Sequence, residues 1–190
     1  MKKQSQQISP TFLIIAFIAG AGILRLLLTG QLPNFSPVAA MALFGGVYFR
    51  NNKLALALPL LVMFFTDVAL EAAYQIGWRE YAGFHTTMPY VYIGFLLTVV
   101  IGMLLKGNDK PLPLIGAGLL SSAIFFIVSN FGVWIADGFY PHNLAGLVSC
   151  YVAAIPFFHY SVAGDLFFIG VLFGGYALAK NRYFSASAAA

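Results

Sequence analysis

Residues 112–137 read LPLIGAGLLSSAIFFIVSNFGVWIAD and carry no charged side chain before the final aspartate. A run of this length is sufficient to cross the roughly 30 Å hydrocarbon core of a bilayer as an α-helix. Its apolar residues are continuous rather than alternating, which favours a helix over a strand of a membrane barrel. The stretch therefore predicts a transmembrane helix, long enough to be tilted.

The rest of the chain has the same character. It has 190 residues, of which 61% are hydrophobic and only 8% are charged, whereas a soluble domain is about 25% charged. A soluble protein of this size has too small an interior for so much apolar surface. We therefore expect a single integral membrane domain over residues 1–190, built as an all-α bundle of polytopic helices.

The pattern of apolar segments predicts six transmembrane helices. They are expected over residues 11–29, 36–49, 53–76, 89–106, 112–137 and 160–180. The first is a retained helix rather than a signal peptide, because it contains Arg25 and lacks a small-residue cleavage site. A weaker stretch, 144–158, is short for a crossing and contains Pro156, so a re-entrant or interfacial segment is expected there.

The basic residues indicate how these helices are oriented. Six crossings leave both termini on one side, and only Arg79 falls in a loop on the opposite side. An excess of Lys and Arg marks the cytoplasmic side, so both termini are predicted to be cytoplasmic. Because the basic residues occur singly or in pairs, the net charge of +4 indicates a lipid bilayer and no nucleic acid as partner. The cytoplasmic group comprises Lys2, Lys3, Arg50, Lys53, Lys106, Lys110, Lys180 and Arg182.

Charged side chains inside the first and third predicted helices are the first candidates for a binding site. Charges within the hydrocarbon are costly, and they usually face the bundle interior or a wet cavity. Asp67 and Glu71 are four residues apart and share one helical face. Arg25 is the only cation at a similar depth, so it is the expected partner of these carboxylates.

A second group of candidates lies in the outer halves of the last two helices. Asn130, Trp134 and Asp137 share a face, which gives an aromatic wall beside polar groups, as in a small-molecule pocket. Asp165 lies in the outer part of the final helix. The predicted solute-binding residues are therefore Arg25, Asp67, Glu71, Asn130, Trp134 and Asp165.

Each candidate also has a purely structural interpretation. The pair formed by Arg25 could lock the first and third helices together. Trp134 could belong to an interfacial aromatic belt, and Asn130 could join helices by hydrogen bonding. Asp165 follows Gly164 near a predicted helix start, where an acidic residue is favoured by the helix dipole.

Patterns for catalysis or metal binding are weak. HExxH, GxSxG and Walker A motifs are absent, and the sequence before Asp165 lacks the first glycine of a GxGD protease motif. His85, His142 and His159 have no regular spacing and are more often unrelated than metal ligands. Cys150 is more often a small core residue than a ligand of a cobalt corrinoid. We expect no enzyme activity, no catalytic residue and no resident cofactor or metal.

Two pairs of small residues have the spacing that lets helices approach closely. They are Ala16/Gly20 and Gly170/Gly174. One interpretation is packing inside the bundle, and the other is a docking face for another membrane subunit.

Three stretches carry a family resemblance. Residues 34–46, NFSPVAAMALFGG, resemble the second-helix pattern of the substrate-binding S components of energy-coupling-factor vitamin transporters. Pro156 to Leu166, with its Gly-Asp pair, resembles the entry to the last helix of those proteins. With residues 129–134, SNFGVW, these stretches most resemble a family of small bacterial membrane proteins described only as transport proteins of unknown function.

The resemblance implies a six-helix fold in a bacterial cytoplasmic membrane, with an outward-facing pocket closed by the loop 77–88. It also implies a membrane coupling subunit driven by ATPases, although Ala16-x-x-x-Gly20 departs from the Ala-x-x-x-Ala docking motif. The expected function is uptake of a small vitamin-like molecule, held against Trp134 and Tyr74. The alternative is a non-catalytic accessory subunit of a larger membrane complex.

Overall fold

The computed structural model describes residues 9–30 and 34–184, and within these ranges it is helical and contains no strand. The all-α prediction is therefore confirmed. The elements are α1 (Pro10–Leu28), α2 (Val38–Tyr48), α3 (Asn52–Gln75), α4 (Met88–Leu104), α5 (Pro111–Ala136), α6 (Leu144–Ile169), a π-helical segment (Gly170–Gly174) and α7 (Gly175–Phe184).

Four of these helices are long and apolar enough to cross a membrane. They are Pro10–Leu28, Asn52–Gln75, Pro111–Ala136 and Leu144–Arg182. The helices α2 and α4 are apolar but shorter, so the number of crossings stays a prediction. Large apolar side chains such as Phe65 and Leu120 are exposed on the outer helix faces, as expected where lipid is the solvent.

The separate segment expected over 144–158 is not found. The helix that begins at Leu144 continues through the π-helical segment to Arg182, a span of 39 residues, or roughly 58 Å at 1.5 Å per residue. The prediction gave too much weight to Pro156, which lies inside α6. Proline is tolerated in membrane helices where local adjustments or neighbouring groups satisfy the freed carbonyl. The final helix therefore begins at Leu144 and not near residue 160.

The short helix α2 lies at the centre of the bundle. Ten of its eleven residues are buried, and it packs against α1, α3, α4, α5 and α6. Its small residues make this possible: a Cβ atom on Gly46 would lie 2.8 Å from the Cα atom of Gly102 on α4. Close backbone approach at small residues is the usual way in which membrane helices pack.

Contacts between connecting segments define one end of the bundle, here called the Tyr48 end. Lys106 Nζ donates a hydrogen bond to Asn52 Oδ1 at 2.6 Å, and the Tyr48 hydroxyl donates to Asp109 Oδ2 at 3.0 Å. The Tyr176 ring of α7 lies 4.4 Å from the Tyr48 ring between centroids. The α2–α3 and α4–α5 connections, near which Arg50, Lys53, Lys106 and Lys110 occur, thus lie together at this end. Lys2 and Lys3 lie outside the described residues.

The opposite end, here called the Arg79 end, is formed by the α3–α4 and α5–α6 connections. Arg79 donates hydrogen bonds to the carbonyls of Leu26 at 2.9 Å and Thr29 at 2.8 Å. These carbonyls belong to the last turn of α1, where a cation also complements the helix dipole. Thr86 and Asp137 are hydrogen-bonded side chain to side chain, which joins the two connections.

Stability should respond differently to alanine at two glycines. Gly46→Ala should lower the free energy of unfolding by about 1–3 kcal/mol, because the added methyl group meets the backbone of α4. Gly20→Ala is the matched control, since a Cβ atom at Gly20 would have no neighbour within 4 Å. Unfolding of the purified protein in detergent measures both. Equal effects of the two variants would contradict the close packing of α2 on α4.

Candidate functional site

A buried ion pair joins α1 to α3. The Arg25 guanidinium is paired with the Asp67 carboxylate, and it also donates hydrogen bonds to the Thr66 hydroxyl and to the Met63 carbonyl at 3.3 Å. The second oxygen of Asp67 accepts a hydrogen bond from the Tyr92 hydroxyl of α4 at 2.7 Å. The side chain of Asp67 is only 3% exposed and that of Arg25 is 15% exposed. Three helices are thus joined through one carboxylate.

The carboxylate in this cluster finds its hydrogen-bonding partners within the cluster itself. Both carboxylate oxygens of Asp67 have partners within the chain, so the residue has little left to offer a solute. The arrangement agrees with the structural interpretation of the Arg25 pair, which locks the first and third helices together. Tyr92, which sequence reasoning did not select, adds the fourth helix to this lock.

Glu71 does not join the Arg25 pair, contrary to the expectation from its spacing to Asp67. Its carboxylate accepts hydrogen bonds from Gln75 Nε2 at 2.7 Å and from the backbone N–H groups of Gly83 at 3.0 Å and Phe84 at 3.2 Å. The physical reason is the α3–α4 loop, which folds back onto α3 so closely that a Cβ atom on Gly83 would clash with the α3 backbone. Glu71 is therefore a loop anchor.

Trp134 is also held by a loop and does not form a pocket wall with Asn130. Its indole N–H donates to the Pro141 carbonyl at 3.0 Å, and its ring lies 5.6 Å from that of His142 between centroids. Tyr74, the second expected wall, is 42% exposed. The six predicted residues therefore do not form one site, because Glu71 and Trp134 are hydrogen-bonded to loop backbone instead.

A wide cavity of about 290 Å³ lies at the Arg79 end, between α4, α5 and α6. Asn130 is among its lining residues, as predicted. Its Nδ2 donates to the Phe126 carbonyl at 2.7 Å, and in the described part of the chain no donor reaches its Oδ1. The lining mixes aromatic rings with polar groups: Asn34, His85, Thr87, Val91, Phe125, Phe126, Ser129, Asn130, Val133, Ala154, Phe157 and Ser161.

A narrow cavity of about 80 Å³ adjoins the wide one and contains Asp165. Three residues, Asn34, Phe125 and Ser161, line both cavities. Asp165 is 6% exposed, and its Oδ2 accepts a hydrogen bond from the Ser122 hydroxyl at 2.5 Å. Asp165 is not in the first turn of a helix, as the alternative interpretation required, because α6 begins 21 residues earlier, at Leu144.

A third cavity, of about 380 Å³, borders the end of α1 and includes Arg25. It shares Asn34 and Ser36 with the narrow cavity. Three of the predicted residues, Arg25, Asn130 and Asp165, therefore line three neighbouring cavities around Asn34. Asp67, Glu71 and Trp134 line none of these three.

Two residues that were not selected from the sequence, Asn34 and Ser161, also line these cavities. Asn34 has a left-handed backbone with φ of 58°, a conformation that asparagine tolerates better than most residues. Ser161 lies four residues before Asp165 and so shares its face of α6. Gly164 lets the segment before α2 approach, since a Cβ atom there would lie 3.2 Å from the Phe35 Cα atom. The four-residue spacing from Asp165 was a signal in the sequence that could have identified Ser161.

The cysteine and the histidines do not form a metal site among the described residues. Cys150 is 2% exposed, and its thiol donates to the Asn130 carbonyl at 3.4 Å. Within residues 9–30 and 34–184, no group of three His, Cys, Asp or Glu side chains is arranged to hold a metal ion. His85 is the one histidine that lines the wide cavity.

The fold and these buried groups define an all-helical membrane protein with internal polar cavities. Residues 5–188 match the model of a family of unknown function, DUF6580, and the chain belongs to this family. No curated protein and no solved structure matches the chain.

The α1–α3–α4 lock predicts the effect of removing its carboxylate. Asp67→Asn should lower the free energy of unfolding by about 3 kcal/mol, because the Arg25 charge stays largely buried without a counter-charge. The double variant Arg25→Met with Asp67→Leu should recover most of that loss. Thermal unfolding in lipid nanodiscs measures both variants. An unchanged Asp67→Asn variant would show that the pair does not hold the helices together.

Proposed function

We propose that the protein is a membrane-embedded solute-binding protein that takes part in the uptake of a small, vitamin-like molecule. The observation that carries the proposal is the carboxylate of Asp165, which is buried at the side of a cavity with one serine as its partner. Polar groups in the interior of a membrane protein are costly and are usually kept for function. No catalytic role is proposed for these residues.

The lining of the wide cavity supports a small-molecule ligand. Phe125, Phe126 and Phe157 supply apolar surface, and Asn130 and His85 supply hydrogen-bonding groups. Ligand sites usually combine mostly apolar walls with a few placed polar groups. A volume near 290 Å³ lies at the lower end of the usual range of ligand pockets, roughly 300–1,000 Å³, which favours a small solute.

The position of the cavity supports entry from outside the cell. The wide cavity lies at the Arg79 end, opposite the loops that carry Lys53 and Lys106. Under the positive-inside rule those loops are cytoplasmic, so the cavity faces the outer side of a bacterial cytoplasmic membrane and both termini are inside. His85 and Thr87 belong to the 77–88 loop, whose movement would open and close the cavity.

An exposed face of α1 supports a membrane partner that supplies transport energy. Ala16 is exposed, and a Cβ atom on Gly20 would have no neighbour within 4 Å. Gly170 and Gly174 also face open space, so neither small-residue pair packs inside the bundle in the described chain. Such faces favour close approach by another membrane helix. The partner would be a coupling subunit driven by ATPases or, in the alternative, another subunit of a larger membrane complex.

Ligand binding should depend on Ser161, which lines both the wide and the narrow cavity. A broad panel of vitamins and related small molecules should contain a compound that stabilises the protein in nanodiscs by about 2.7 kcal/mol at 100 times its dissociation constant. Ser161→Leu should abolish this effect by filling the cavity. Gly116→Leu, which introduces the same side chain on an open face, should not. A panel without any stabilising compound would contradict the proposed function.

The partner should be lost when the α1 face is enlarged. Gly20→Leu should reduce the amount of any membrane subunit that copurifies with the protein in mild detergent, while ligand-induced stabilisation is retained. Gly116→Leu again serves as the control. If the Gly20→Leu variant copurifies with as much of the subunit as the unmodified protein does, this face is excluded as the docking site. Copurification of a stoichiometric complex with no ligand binding would favour the accessory-subunit alternative.

A further inference from the structure

We propose that the solute carries a positively charged group, such as a protonated or quaternary amine, which binds beside Asp165. This inference rests on the proposed function and names the chemical class of the ligand. It comes from a comparison of the two buried carboxylates that the described helices place in the bundle interior.

The two carboxylates have similar burial but different partners. Asp67 is 2% exposed and Asp165 is 6% exposed. Asp67 is paired with the Arg25 guanidinium and also accepts a hydrogen bond from the Tyr92 hydroxyl. Asp165 has one neutral partner, the Ser122 hydroxyl. A buried charge needs a counter-charge to offset the loss of its hydration, and among the described residues only Asp67 has one.

The single partner of Asp165 is itself shared. The Ser122 Oγ atom lies 2.5 Å from Asp165 Oδ2 and 3.0 Å from the Gly118 carbonyl. A hydroxyl has one proton to donate, so it cannot serve both acceptors fully. An ionised Asp165 is therefore short of donors as well as of positive charge.

The space beside Asp165 suits a cation that enters from the wide cavity. No residue in the lining of the narrow cavity is Lys, Arg or His within the described ranges. Phe95 and Phe125 line it with rings whose centroids are 4.7 Å apart, and aromatic faces attract cations. The N-terminus of α2, at Val38 and Ala39, also borders the cavity, but a helix end supplies only about half a positive charge.

The geometry also indicates how such a solute would lie. Its cationic group would occupy the narrow cavity, whose polar lining residues are Asp165, Asn34, Ser36 and Ser161. Its body would extend past Phe125 into the wide cavity, within reach of Asn130. The third cavity, beside Arg25, is less suitable for the cationic group. The Arg25 guanidinium would repel a cation, and it is already paired with Asp67.

Charge-matched ligands test this inference in nanodiscs with the full chain. Choline, its neutral isostere 3,3-dimethylbutan-1-ol and the anion 3,3-dimethylbutanoate are compared, together with every compound that stabilises the protein in the broad panel. We expect cationic compounds to bind at least tenfold more tightly than their neutral isosteres. Asp165→Asn should weaken cation binding about tenfold or more and remove the preference for charge.

Stability without ligand provides the control for folding. Asp165→Asn should leave the unfolding temperature of the ligand-free protein unchanged or raised, because it removes a charge that the chain does not balance. Asp67→Asn should lower that temperature and provides the matched contrast. The inference is overturned if the binding compounds are neutral or anionic, or if Asp165→Asn binds cations as the unmodified protein does. A complete lack of ligands would instead refute the proposed function.

Discussion

Lipid offers no hydrogen-bonding partner, and this constraint governs every polar side chain in the bundle. A carboxylate between membrane helices must find its partners within the chain or bind something that supplies them. The pair of Arg25 and Asp67, completed by Tyr92, shows the first solution. It ties α1, α3 and α4 together through contacts that leave both carboxylate oxygens satisfied.

The central helix α2 places the second carboxylate in a different setting. Since ten of its eleven residues are buried, its small side chains allow the surrounding helices to close tightly along most of its length. Near its N-terminus, Asn34 and Ser36 border the narrow cavity that contains Asp165, and Asn34 also borders the wide cavity that contains Asn130. The same helix thus forms much of the core and borders the cavity of the second carboxylate.

The all-helical class followed from hydrophobicity, because the lengths of apolar segments mark membrane helices directly. The expectation that Pro156 would interrupt the helix was wrong. Its effect depends on whether neighbouring groups satisfy the freed backbone carbonyl, and the sequence does not show those neighbours. The ion pair between Arg25 and Asp67 was foreseeable because Arg25 is the single cation at that depth. The positions of Glu71 and Trp134 were not, because both are bound by loop backbone whose path follows from tertiary packing.

Spacing along one helix proved informative only where no loop competed for the side chain. Ser161 and Asp165 share a face of α6 and line the same narrow cavity. Asp67 and Glu71 have the same spacing on α3, yet one binds Arg25 and the other binds the N–H groups of Gly83 and Phe84. Helical geometry fixes which residues are neighbours, and the packing of other elements decides what each of them binds.

Native mass spectrometry of the protein released gently from its membrane tests the central claim most directly. If the cavities around Asn34 hold a solute, one low-mass molecule should remain bound per chain, and it should be absent when Ser161 is replaced by leucine. A chain that is always free of small molecules, yet always bound to a fixed number of other membrane subunits, would contradict the account.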